Sequence, residues 1–411
     1  MSDSGQESGS ADVPPHVPPS LVWLESIDAF AMKGTDPFVG AAKLHEGPDI
    51  LWSQYGSRGR PAWLLTRHAD IEDVFMDPVN FSSSSNSEGR ALLGVDWKMN
   101  PLEIDPPEHR VYRAILQRWF QPSAVSALEP RMREIARMLI GRLENRDSCD
   151  FIHDFANHFP SLIFLMIMGM PTDRLEEFLG WENQYMRGED TATRVAAVRS
   201  IARYLEEFVE LRKADLRDDL VSAILTAEID GRRLDHEEVM GMCFVLYAGG
   251  LDTVLSSLGW YMRHLALDQD LQSRLRDHPE LIPDATNELL RAYGVTATRR
   301  IVTQDLEFRG LAMRKGDRIM LPTYLAGRDG RAYSNPHTVD IDRPEKRNIT
   351  LATGIHNCLG SHLARREIKI VLEEMLGHFK DIEIPGGATV AWHTEGVWGV
   401  GRLPLQWKRL S

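Results

Sequence analysis

Cysteine is scarce in this 411-residue chain: three occur, Cys149, Cys243 and Cys358, with no CxxC pair and no regular spacing. That argues against a disulfide framework or a structural zinc site and favours a reducing cytoplasm. Positive charge is also short. Lys and Arg number 47 against 60 Asp and Glu, a formal net charge of −13, and a general nucleic-acid binder would need the opposite balance to displace counterions from phosphates. Long apolar runs are missing too: the most apolar stretch, Leu162 to Met170, falls well below the roughly 20 residues that span a bilayer, so no membrane anchor is expected. The first 22 residues, rich in Ser, Gly and Pro, lack the basic start and apolar centre of a signal peptide and read as a disordered tail. No Gly-rich dinucleotide fingerprint, flavin domain or iron–sulfur cysteine set occurs, so any electrons the protein uses must come from elsewhere.

What is there is an ordinary globular composition, 43% hydrophobic and 26% charged, sufficient for a large core. Length alone admits two or three domains, but no composition break follows the tail, so residues 23–411 read as one domain. Apolar residues at three- and four-residue spacing, broken by Pro and Gly, predict a mainly helical protein. Strand signals are few and short, at Pro61–Leu65, Arg300–Val302, Leu306–Phe308 and Arg318–Leu321, with turns at Gly310 and Gly316. The fold class is therefore mainly α with small β-sheets. Phe81 to Asn100, with its serine run and weak periodicity, reads as a long functional loop.

Four local patterns carry chemistry. In Leu351-Ala-Thr-Gly-Ile-His-Asn-Cys-Leu-Gly360, a cysteine precedes an amphipathic stretch, Leu359 to Phe379, striped by Leu363, Ile368, Val371, Met375 and Leu376. A helix N-terminus favours thiolate over thiol, and Gly354 and Gly360 permit a tight backbone course around the sulfur. An inert buried cysteine near a glycine turn is the plainer alternative. Phe244 to Trp260 reads as one buried apolar helix carrying Gly249-Gly250-Leu251-Asp252-Thr253 in its middle. Thr253 is placed to bond back to the Gly249 carbonyl, which bends a helix and frees backbone groups to open a groove beside Asp252. A kinked packing helix with Asp252 in a structural salt bridge stands beside that reading.

Third, Glu288 and Arg291 share a helical face three residues apart, followed later by Arg343. Asp105-Pro-Pro-Glu108 reads as a helix start with Asp105 as cap and Pro106 as first helical residue, after which His109 and Arg113 share one face. A surface cluster of polar side chains is the alternative for that group.

Taken in order, these motifs resemble those of the cytochromes P450. The form Gly-Gly-Leu-Asp-Thr-Val and the closing Leu403-Pro-Leu-Gln-Trp407 are similar to the camphor hydroxylase group, from about Trp23 onward. The resemblance implies a single triangular-prism-like, monomeric domain. It would hold haem b through the Cys358 thiolate, with His109, Arg113, Arg300 and His356 on the propionates and Gly249, Gly354 and Gly360 lining the cofactor. Glu288, Arg291 and Arg343 would form an ion network behind it, and Asp252 and Thr253 would activate O2. Leu351 stands where the family usually has Phe, which implies altered electron donation around the sulfur rather than lost haem.

The same alignment implies substrate contacts at Leu93, Trp97, Met99, Val245, Ala248, Gly249, Thr296, Thr298 and Val397. Trp97 replaces a tyrosine that binds camphor, so a terpenoid or norisoprenoid, ionone- or cineole-like, is expected before camphor. A separate [2Fe–2S] ferredoxin with an NAD(P)H-dependent reductase is implied, docking on Arg110, Arg113, Arg118, Arg365 and Arg366 with Lys369. A non-enzymatic haem-thiolate sensor or carrier is the competing class; it would not need the Asp252–Thr253 pair.

Overall fold

The computed structural model describes residues 13–33, 36–57, 59–84 and 88–410. The helices that build the site are α1 (His109–Phe120), α2 (Pro122–Gly141), α3 (Phe159–Met168), α4 (Leu175–Arg187), α5 (His236–Gly250), α6 (Thr253–Leu267), α7 (Ile282–Ala292) and α8 (Ser361–His378). A six-stranded sheet lies beside them, built from β1 (Val22–Trp23), β2 (Ile50–Ser57), β3 (Arg60–Leu65), β4 (Phe81–Ser82), β5 (Ala297–Val302) and β6 (Arg318–Pro322). Its order is β1-β2-β3-β6-β5-β4. The expected strands and the left-handed turns at Gly310 and Gly316 (φ 78° and 92°) are present.

Helix α5 begins at a reciprocal cap: the Asp235 carboxylate accepts from the Glu238 amide and the Glu238 carboxylate from the Asp235 amide, both at 2.8 Å. Apolar on nearly all sides, it runs through the core. The span His236–Leu267 is long and apolar enough by length and composition to cross a membrane, and 61% of its apolar window is buried inside the fold. A longer apolar stretch than Leu162–Met170 is therefore present, and it lies in the core. On α8 the striped residues Leu363, Ile368, Val371, Met375 and Leu376 are all buried, so the amphipathic reading places the correct face inward.

Four sequence expectations need correction. The ordered domain begins before residue 23. Val17 is buried, His16 Nε2 lies 2.8 Å from Asp317 Oδ2, and the His16 ring packs near Trp52 and Trp63. Proline there starts a turn at Pro14–Val17 and a 3-10 helix at Pro19–Leu21, which lie against the sheet as ordered chain; residues 1–12 of the expected tail lie outside the described residues. The stretch Phe81–Asn100 contains β4 and the short helix Glu88–Leu93, so it is only partly loop.

Asp105 does not cap α1, which starts at His109. Pro106 precedes a second proline, and that keeps it out of the helical region. The Asp105 carboxylate instead accepts from the Ser82 hydroxyl and, at 3.0 Å, from the Ser83 amide. Finally, Phe244–Trp260 is not one helix: α5 ends at Gly250 and α6 restarts at Thr253. Two glycines weaken the helix at that point. A Cβ on Gly250 would stand 2.3 Å from the Phe164 ring on α3, so glycine is required for the helices to touch.

Behind the site the Glu288 carboxylate is buried between two guanidiniums. Arg291 donates to it at 2.8 and 2.7 Å, and Arg343 Nε lies 3.1 Å from each oxygen. The remaining guanidinium hydrogens go to the carbonyls of Gly327, Pro336, Thr338, Ser334 and Asn335. With all groups satisfied, α7 is clamped to the chain that leads into the cysteine loop. Glu288→Ala would leave two buried cations uncompensated and is expected to lower stability by about 3–5 kcal/mol, read from a urea unfolding midpoint. A change within about 0.5 kcal/mol would contradict the clamp.

Candidate active site

The α5–α6 junction faces the loop before α8 across a cavity of about 280 Å³. Val245, Gly249 and Thr253 stand on one wall, and His356, Cys358 and Gly360 on the other. The junction is shaped by hydroxyl back-bonding: Thr253 Oγ1 donates to the Gly249 carbonyl at 3.3 Å and Ser257 Oγ to the Thr253 carbonyl at 2.8 Å. A Cβ on Gly249 would meet nothing within 4 Å, and the same holds at Gly360. Both walls therefore expose bare backbone to the space between them.

The cysteine loop is held by backbone bonds. Cys358 N donates to Leu351 O at 2.8 Å, and Asn357 Nδ2 lies 3.4 Å from the same oxygen. Residue 351 thus positions the sulfur through its carbonyl, which Leu offers as well as Phe. Gly354 has φ 72°, and a Cβ there would lie 2.7 Å from Phe75 O, so its glycine is required. Gly360 does not need its glycine for turn geometry, having φ −81°; what it contributes is open space.

The expected thiolate preference is only partly realised by the protein alone. Burial pushes the Cys358 thiol up, while the Gly360 amide and the nearby Arg113 and Arg365 pull it down. The protein leaves a half-buried sulfur that a metal cation would deprotonate outright.

Beside it lies a cationic pocket without enough anions. The rings of His109 and His356 are 4.4 Å apart, and Nε2 of each is buried without a hydrogen-bond partner. Burial pushes His356 down to about 3, helped by Arg300, His109 and Arg113. Arg300, itself buried, is lowered to about 10 chiefly by desolvation. Native interiors seldom leave buried donors unmet. The pocket therefore fits a flat cofactor that carries carboxylates at one edge and a metal over the sulfur, and haem has both.

The other sequence-predicted residues divide. Val245 and Gly249 line this cavity, but Trp97 packs on Phe244 and faces a separate cavity of about 470 Å³ lined with Asp96, Lys98, Asp235 and Glu238. Met99 and Val397 are buried, while Leu93 and Ala248 are half-buried against the core. Thr296 is tied to Thr323, which donates to its carbonyl at 2.8 Å; Thr298 Oγ1 is buried without a partner.

The basic surface is narrower than expected. Arg366 pairs with Glu129 and Lys369 with Glu373, and Arg133 joins Glu129, Glu373 and Glu374. Arg110 and Arg118 remain exposed, with no carboxylate at ion-pair distance among the described residues, while Arg113 and Arg365 are half-buried toward Cys358.

Asp252 is only 4% exposed, and sequence reasoning missed its partners. Arg187 Nη2 donates to its two oxygens at 2.8 and 2.7 Å, and Ser256 Oγ stands 3.4 Å away. The structural salt bridge weighed as an alternative is therefore present, on a carboxylate next in sequence to Thr253, which lines the cavity. Periodicity carries no signal for it, because Arg187 lies at the end of a different helix.

Fold and site together define a protein that holds a flat anionic cofactor between a buried thiol and an interrupted helix. A family model described as Cytochrome P450 matches residues 178–404. A probable cytochrome P450 127A1 of Sinorhizobium fredii is 36% identical over 404 residues, covering 96% of this chain and 97% of that one. The crystal structure of cytochrome P450 CYP101C1 superposes with a TM-score of 0.86 at 31% identity, covering 97% of this chain and 100% of the other. Cytochrome P450-terp of Pseudomonas is 29% identical, covering 85% of this chain and 88% of its own length. The chain belongs to the cytochrome P450 family. It is accordingly a haem-thiolate monooxygenase, an oxidoreductase.

The orphaned imidazoles generate a test. His109→Ala with His356→Ala should weaken haem retention by about 10–100-fold, the usual cost of lost outer partners, measured by transfer of haem to apomyoglobin. Transfer at the wild-type rate would separate these histidines from the cofactor.

Proposed function

We propose that the Cys358 thiolate would hold the haem iron, that Arg113, Arg300, His109 and His356 would hold the propionates, and that Asp252 and Thr253 would serve oxygen activation on a small apolar substrate. The observation that carries the reading is one cavity shared by the half-buried Cys358 and by His356, whose unmet imidazole packs on that of His109. When bound, haem supplies the iron at which O2 is activated, so that one oxygen atom enters a C–H bond.

The chain's own residues do the rest. Gly249 bares the helix backbone and leaves room above the cofactor. Thr253 bonds the Gly249 carbonyl in this structure, and its hydroxyl can turn to donate to dioxygen. Asp252, half a turn away in the chain break, carries protons from the Arg187 side toward Thr253 Oγ1. Such a relay has no purpose in a sensor or carrier, and this favours the enzyme over that alternative.

The substrate is a compact hydrophobic molecule held mainly by burial against the Val245 face, with terpenoids and norisoprenoids first among candidates. With Trp97 turned to the outer cavity, the expected polar anchor of the substrate loses its support, and the apolar walls are left to select. Reduction is by a [2Fe–2S] ferredoxin with its own reductase, steered by Arg110 and Arg118. The location is cytoplasmic, in keeping with three free cysteines.

Thr253→Ala is expected to keep NADH oxidation while cutting product per NADH about 10-fold or more, the balance appearing as hydrogen peroxide. Unchanged coupling would remove Thr253 from the reaction. A haem spin-shift titration against β-ionone, cineole and camphor should rank camphor last; camphor first would overturn the substrate class. Arg110→Glu with Arg118→Glu should slow ferredoxin-driven reduction about 10-fold at low salt and abolish its salt dependence, whereas unaltered rates would place the partner elsewhere.

A further inference from the structure

Arg187, the last residue of α4, reaches Asp252 through one nitrogen only. Its Nη2 spans both carboxylate oxygens at 2.8 and 2.7 Å. Its Nε donates instead to His393 Nδ1 at 3.1 Å, and Nη1 lies 3.5 Å from Asn183 Oδ1. Arginine grips a carboxylate most firmly as a parallel fork, two nitrogens to two oxygens. Here the Nε edge that would complete the fork is taken by an imidazole.

His393 is well seated for that task. It ends β7 (Ala391–His393), which pairs antiparallel with β8 (Gly399–Arg402), and it lies opposite Gly399. A Cβ at Gly399 would stand 2.6 Å from His393 Cε1 and 2.8 Å from Ser256 Oγ. Glycine at that position lets the ring and the start of α6 close on each other. Burial and the Arg187 charge push His393 down to about 3, and the Val397 carbonyl opposes this only weakly, so the ring is neutral and its Nδ1 stays an acceptor.

We propose that His393 is a positioning residue that occupies the Nε edge of Arg187, limits its hold on Asp252 to a single nitrogen, and so keeps the carboxylate releasable for proton transfer. Without the imidazole, Arg187 turns its Nε to Asp252, completes the fork and locks the carboxylate. The inference rests on the proton-relay reading of Asp252. It assigns a role to a residue 206 positions away from Arg187 in the chain, on the strand pair that also carries Val397 between its two arms.

The test compares His393→Leu, which removes the acceptor, with His393→Asn, which places an amide oxygen near the position of Nδ1. In substrate-free ferric holoenzyme labelled with ¹⁵N-arginine, the Arg187 Nε–H resonance, assigned by its loss in Arg187→Lys, should shift in the Leu variant and return toward wild type in the Asn variant. With a [2Fe–2S] ferredoxin, its NADH reductase and whichever of β-ionone, cineole or camphor gives the largest spin shift, product per NADH should fall about 10-fold in the Leu variant with a larger solvent isotope effect. The Asn variant should recover both. An unmoved resonance, or a moved one with coupling and isotope effect unchanged, overturns the proposal. Asp252→Asn separates the two levels: if it lowers product per NADH about 100-fold while His393→Leu does nothing, only the His393 role fails, and if it too is without effect the relay reading itself fails.

Discussion

The setting of the half-buried Cys358 sulfur, opposite the interrupted helix, is the constraint on which the rest of this molecule depends. An isolated charge in a low-dielectric interior is disfavoured by many kcal/mol, so it persists only where opposite charge and hydrogen-bond donors surround it. The protein supplies part of that surrounding through the Gly360 amide, Arg113 and Arg365. The remainder must be a metal cation. The fold then has to keep the loop still while the cation's other side stays free, and the buried Glu288–Arg291–Arg343 clamp lies in the chain segment that leads into it.

The opposite wall follows a different rule. Glycines at 249 and 250 serve unlike purposes: the second is required by contact with Phe164, and the first is left facing open space. Together they interrupt a helix that is otherwise as apolar and continuous as a membrane span, and the interruption puts the Thr253 hydroxyl on the cavity wall with the Asp252 carboxylate next to it in the chain. The acid would be costly to bury there if Arg187 did not meet it. Stability and reactivity thus draw on the same ion pair, and how many nitrogens grip the carboxylate decides which of the two is favoured.

How much of this was legible in the chain depends on distance along it. The Gly-x-x-x-Cys-x-Gly loop, the Glu288–Arg291 spacing and the helical stripe of α8 are local, and local periodicity reports them faithfully. The Asp105 cap was misread because the second proline changes which residue can be helical, although both prolines are in plain view. The early chain was misread because proline content is common to disordered tails and to extended segments laid on a sheet, and only the tertiary partners Asp317, Trp52 and Trp63 distinguish them. Arg366 looked like free surface charge because its carboxylate partner, Glu129, lies on another helix, whereas the partner of Lys369, Glu373, stands four residues on in the same helix and was open to spacing rules. Arg187 meets Asp252 across 65 residues and His393 across 206, separations at which no spacing rule operates.

Those long-range pairs also explain why the two sides of the cavity differ in kind. On the cysteine side every guanidinium hydrogen of Arg291 and Arg343 that is given a partner goes to a carboxylate or a backbone carbonyl, which holds the network in one arrangement. On the oxygen side Arg187 divides its donors among Asp252, His393 and Asn183, on three separate elements, and the weakest of these contacts is at the 3.5 Å limit of a hydrogen bond. An arginine shared in this way can lose one partner without leaving the others unmet. The network behind the cysteine loop is thereby held in one arrangement, and the Arg187 cluster retains a choice of partners.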